Sequence, residues 1–113
     1  MLKLIFNWIK RLFSRKESLF YKYKFVDDVP GILNDKTIYV VGERDYYWQI
    51  VFLCPCGCKS TLFLNLLEEY KPSWRYQIEK TGFITLTPSI NRVVGCKSHF
   101  FLRSGKVQWT RDG

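Results

Sequence analysis

The chain has 113 residues, room for one domain built on one core. Hydrophobic residues make up 47% and aromatic residues 18%, which excludes a disordered composition. The formal charge is +8, but residues 1–17 hold +4 of it through Lys3, Lys10, Arg11, Arg15 and Lys16 against Glu17, so the rest is mildly basic and weakly suited to nucleic acid.

Residues 2–14 read as an amphipathic helix. Leu2, Ile5, Phe6, Ile9, Leu12 and Phe13 share one face, with Trp8 at its rim, and Lys3, Asn7, Lys10 and Ser14 lie opposite. Such a helix suits peripheral membrane contact, a partner surface, or packing on its own sheet. Asn7, Lys10 and Arg11 interrupt any apolar run, so the segment is neither a signal peptide nor a span.

After Ser18 the pattern turns to period two. Phe20 to Val26 alternates, and Val29-Pro30-Gly31 marks a turn. Thr37 to Val41 predicts a strand ending at Gly42, and Tyr46 to Leu53 predicts another that runs into a cysteine cluster. Thr61 to Leu67 is apolar and suits a strand or a short helix, and the flanking strands favour a strand. Trp74 to Glu79 and Phe83 to Thr87 flank Lys80-Thr81-Gly82 as a hairpin, and Phe100 to Leu102 and Val107 to Trp109 flank a second one. The expected fold is mainly β: a small antiparallel β domain with a zinc knuckle over residues 18–113, preceded by a basic amphipathic helix within 1–17.

Four cysteines carry the clearest chemistry. Cys54-Pro55-Cys56-Gly57-Cys58 packs three thiols into five residues, and Cys96 follows Gly95 at another turn. Cysteines two apart in an extended chain suit disulfide geometry poorly, whereas thiolates converging on a metal need no pairing. Cys54, Cys56, Cys58 and Cys96 therefore predict one structural zinc ion with a closed shell, in a reducing, cytoplasmic setting. A rival scheme puts His99 in the shell through Cys96-Lys97-Ser98-His99.

If the zinc leaves His99 unbound, this single histidine is available as a base. A hairpin centred near Val94 sets Ser89 opposite His99, within reach of a nucleophile–base hydrogen bond. Ser98 is the weaker nucleophile, because neighbours on a strand point to opposite faces. A backbone N–H near Ile90 or in the Gly95 turn suits an oxyanion. Glu43 and Asp45 are the candidate carboxylates.

Several strings together resemble a known family. They are Cys54-Pro55-Cys56-Gly57-Cys58, Leu64-Asn65-Leu66-Leu67, Pro72-Ser73-Trp74, Leu86-Thr87-Pro88-Ser89-Ile90, Gly95-Cys96-Lys97-Ser98-His99-Phe100 and Gly105-Lys106-Val107-Gln108-Trp109. Over residues 29–109 the chain resembles BubE, a family of small bacterial domains found with ubiquitin-like proteins and their E1-like and E2-like enzymes. The resemblance implies a serine-type, deubiquitinase-like peptidase that trims or releases a ubiquitin-like protein at its C-terminus. It implies the four cysteines as metal ligands and Ser89 and His99 as the reactive pair. It does not fix the carboxylate, though Gly42-Glu43 resembles a Gly-Glu step of the family and favours Glu43 over Asp45. The alternative is a zinc-binding interaction module that recruits conjugation enzymes or substrate without chemistry.

Overall fold

The computed structural model describes residues 20–92 and 95–110. The helix expected over 2–14 lies outside them. Eight strands follow in order: β1 (Lys22–Val26), β2 (Thr37–Glu43), β3 (Tyr46–Leu53), β4 (Thr61–Asn65), β5 (Arg75–Ile78), β6 (Ile84–Asn91), β7 (His99–Arg103) and β8 (Lys106–Trp109). They form two four-stranded sheets, β1-β2-β3-β4 and β5-β6-β7-β8. Among the described residues there is no helix, and so none long and apolar enough to cross a membrane.

The alternation of each strand builds the core. Ile38 and Val40 of β2, Ile50 and Phe52 of β3, and Leu62 and Leu64 of β4 face Ile84, Leu86 and Ile90 of β6 and Phe100 and Leu102 of β7. These side chains share one apolar cluster between the sheets, and Phe52 meets Phe100 edge to face at 6.4 Å. The second hairpin closes through Ser104 and Gly105, both at positive φ (46° and 76°), the mirror-type turn that matches strand twist.

The fold departs from the expected antiparallel pattern at one pair. β1 runs parallel to β2. The connection from Asp27 to Lys36 is long enough to return the chain, and its Val29 and Leu33 pack on Tyr39, Val41 and Val51. That cover buries β2 on both faces, so its sequence reads as continuous apolar residues. Nor does β2 stop at Gly42. It runs to Glu43 with a register shift between Val41 and Gly42. A β-carbon on Gly42 would lie 2.5 Å from the Tyr47 Cα and against the Tyr46 carbonyl oxygen, so only glycine lets the two strands stay this close.

Candidate functional site

Strands β6 and β7 carry the candidate reactive residues. Leu86 faces Leu102, Ile90 faces Phe100 and Asn91 faces His99. Between the first two rungs, Thr87, Pro88 and Ser89 stand against Phe101 alone. This is a bulge, and Pro88, with no N–H for a ladder, is the residue type that accepts one. The bulge extends β6 past Thr87, moves the hairpin centre from Val94 to Gly95 and puts Asn91 directly across from His99. Ser89 keeps the outward face, two residues before Asn91, and reaches the imidazole from the diagonal: Ser89 Oγ lies 2.9 Å from His99 Nε2.

Ser89 and His99 are half-buried, and Asn91 is exposed. Ile90 and Phe100 point the other way, into the core. His99 is flanked on its own strand by Phe101 (ring centroids 6.3 Å apart), over which the Arg103 guanidinium sits at 4.3 Å. Trp74 Nε1 donates to the Ser89 carbonyl oxygen across 3.3 Å. Trp74 is held in turn by its own N–H, which donates to the Asn65 carbonyl at 2.8 Å. The Asn65 side chain gathers the intervening loop, with Nδ2 reaching the carbonyls of Leu67 (2.9 Å), Tyr70 (2.8 Å) and Pro72 (3.2 Å). The Ile90 N–H, an expected oxyanion donor, belongs to the ladder: Arg92 N donates to Ser98 O at 2.7 Å, and alternation turns Ile90 the same way, toward Phe100.

Of the candidate carboxylates, Glu43 is exposed at the end of β2, opposite Tyr46 in the β2–β3 hairpin. Asp45 lines a groove of about 380 Å³ with Tyr46, Tyr47, Leu66, Trp74 and Tyr76.

The cysteines meet where the β3–β4 turn approaches the β6–β7 turn. All four thiols are free, and their sulfurs lie within 4.8 Å of one another. Cys54 Sγ is 3.4 Å from Cys56 Sγ and 3.6 Å from Cys96 Sγ. A disulfide would need about 2.05 Å. A zinc tetrahedron with Zn–S bonds near 2.3 Å has edges of about 3.8 Å. The donor set and its spacing thus fit zinc and not a cystine. His99 is outside this set, its Nε2 turned to Ser89.

The surroundings of the sulfurs suit thiolates. Arg92 Nη1 donates to Cys96 Sγ at 3.2 Å and to Cys58 Sγ at 3.5 Å, bringing positive charge to the cluster. The buried Ser98 sets its Oγ 3.0 Å from Cys96 Sγ. Hydrogen bonding from Ser60 holds the Cys58 thiol down at about 6, and hydrogen bonding from Ser98 holds Cys96 at about 7. Hydrogen bonding to Cys58 pushes Cys56 up to about 11, as expected when close thiols share protons. Ser98 faces the sulfurs while its neighbour His99 faces Ser89, so consecutive residues serve the two sites.

Arg92, Trp74 and Asn65 are contributors that the residue reading did not single out for these roles. Trp74 and Asn65 do fall inside the motif strings, which is the signal that marks them. Arg92 carries no signal, because one arginine among 18 basic residues looks like surface charge. No curated protein and no solved structure gives a match to the chain. A family model described as "Bacterial ubiquitination-like system serine protease (BubE)" matches residues 25–110, more than half of the chain. The chain belongs to the BubE family.

Proposed function

We propose that the chain is a zinc-stabilised serine peptidase that processes or releases a bacterial ubiquitin-like protein at its C-terminal tail. The observation that carries this reading is the 2.9 Å approach of Ser89 Oγ to His99 Nε2. Membership of a family of serine proteases of bacterial ubiquitination-like systems supports the pathway.

In this reading His99 Nε2 accepts the Ser89 proton as Oγ attacks the scissile carbonyl, so Nδ1 carries the ring's other proton. The imidazolium then protonates the leaving group. Water, deprotonated by the same ring, cleaves the acyl-serine and restores both residues. Glu43 as the orienting carboxylate rests on the family resemblance alone. Cys54, Cys56, Cys58 and Cys96 would hold a structural zinc ion, which clamps the β3–β4 turn to the β6–β7 turn and so fixes the start of β7, where His99 stands. The setting is cytoplasmic, as free zinc thiolates require reduction. E1-like and E2-like enzymes are the further partners, and nucleic acid is not one. The segment over residues 2–14 is the element for peripheral membrane contact.

The test is incubation with a ubiquitin-like precursor. Wild type cleaves it and Ser89→Ala does not. Equal cleavage by both removes Ser89 from the reaction. Binding without cleavage by either supports an interaction module instead.

A further inference from the structure

The edge of sheet β5–β8 next to Ser89 is unfinished. β5 pairs with β6 from Ile78↔Ile84 to Arg75↔Thr87 and goes no further. Glu79 N donates to Phe83 O at 2.9 Å, so by alternation Thr87 turns its N–H and C=O toward β5. The next groups turned to that side belong to Ser89 and Asn91. Arg92 N bonds to Ser98 O, which makes Asn91↔His99 a rung without ladder hydrogen bonds and aims the Asn91 N–H and C=O away from β7. No strand among the described residues covers them. The chain that would have done so leaves at Trp74, whose N–H is drawn off to Asn65 and whose indole occupies only the Ser89 carbonyl.

We infer that the substrate tail binds here as an added strand, in line with β5, with its backbone bonded to Asn91 and its scissile carbonyl carried past Ser89. The inference rests on the peptidase reading and deepens it. An extended, unstructured peptide is the occupant that fits. Backbone pairing supplies affinity without demanding a particular sequence, which suits an extended peptide tail. The groove of about 380 Å³ lined by Trp74, Tyr47, Leu66 and Tyr76 shares Trp74 with this edge, and it offers the tail aromatic walls with Asp45 and Arg75 as polar contacts. The outer edges of the end strands β1, β4, β5 and β8 do not carry Ser89, which lies on β6.

The experiment uses full-length Ser89→Ala protein, which cannot turn over, and a ubiquitin-like precursor at saturation. Amide hydrogen exchange is read residue by residue. Exchange at Asn91, fast in the free protein, slows at least about tenfold on binding. Exchange at Ile90 and Arg92, already bonded to β7, stays unchanged. Binding that leaves Asn91 unprotected, or no binding, overturns the added strand. Cleavage by wild type is scored separately. Protection at Asn91 without cleavage sinks the peptidase reading and keeps the added strand, and cleavage without protection does the reverse.

Discussion

The Trp74 indole N–H donates to the Ser89 carbonyl oxygen at 3.3 Å, so the residue that ends the β5 side of the sheet also holds the backbone of the candidate nucleophile. Trp74→Phe keeps most of the packing and loses the donor. One lost hydrogen bond of about 0.5–1.5 kcal/mol corresponds to a fall of roughly two- to tenfold in kcat/KM toward a ubiquitin-like precursor. Steady-state kinetics check this, with the thermal midpoint as the control for folding. An unchanged kcat/KM would show that Ser89 is positioned without Trp74.

Arg92, the first residue of the β6–β7 turn, donates to the Cys58 and Cys96 sulfurs. Removing it leaves the thiolate set without its nearby cation. Arg92→Ala should weaken zinc binding about ten- to a hundredfold, the usual effect of losing a partner of a metal ligand. Competition with a chromophoric chelator measures it. An affinity equal to wild type would show that Arg92 is only a surface residue.

The metal-free protein should respond to pH through the same sulfurs. Cys58, held near 6, and Cys96, held near 7, bind protons less tightly in the fold than an unfolded thiol does at about 8.5. The unfolded chain therefore takes up more protons as the pH falls, and stability falls with it. The contribution of these two thiols is fully present above about 8.5 and is lost as the pH drops through 7 and then 6. Cys56, raised to about 11, has the opposite sign and acts only on the alkaline side. The thermal midpoint of chelated, reduced protein should rise between pH 5.5 and 8.5, and less steeply in Cys58→Ser. A flat profile contradicts it.

Gly42 sits where a β-carbon would run into the backbone of Tyr46 and Tyr47. Gly42→Ala must push β2 and β3 apart, at about 1–3 kcal/mol. For a domain of this size each kcal/mol lowers the thermal midpoint by roughly 4–8 °C. Calorimetry on the zinc-loaded protein checks it. An unchanged midpoint would mean that β2 and β3 part freely at the register shift beside Gly42.

Much of this molecule can be read from residue pattern. The aromatic and β-branched run from Tyr46 to Leu53 is a strand with those bounds, and all four cysteines converge. What stayed hidden was geometry that period two does not encode. Alternation looks the same in parallel and antiparallel pairs, so β1 against β2 could not be assigned from sequence. A bulge moves the register without changing the letters. Ser89 was therefore expected directly across from His99, whereas Asn91 takes that rung and Ser89 approaches from the diagonal. The proximity held because both serine and asparagine lie on the outward face. Arg92 reaches the thiols only because the β6–β7 turn folds it over them, a contact that no spacing announces.

The central claim is that His99 makes Ser89 a nucleophile, and a fluorophosphonate probe tests it without any knowledge of the substrate. The zinc-loaded protein is incubated with the probe and digested, and the adduct is located by mass spectrometry. The account predicts one modified residue, Ser89, with labelling abolished in Ser89→Ala and slowed at least about a hundredfold in His99→Ala, the scale on which a general base contributes. Labelling of Ser89 at the same rate with and without His99, or no labelling of Ser89 at all, would contradict it.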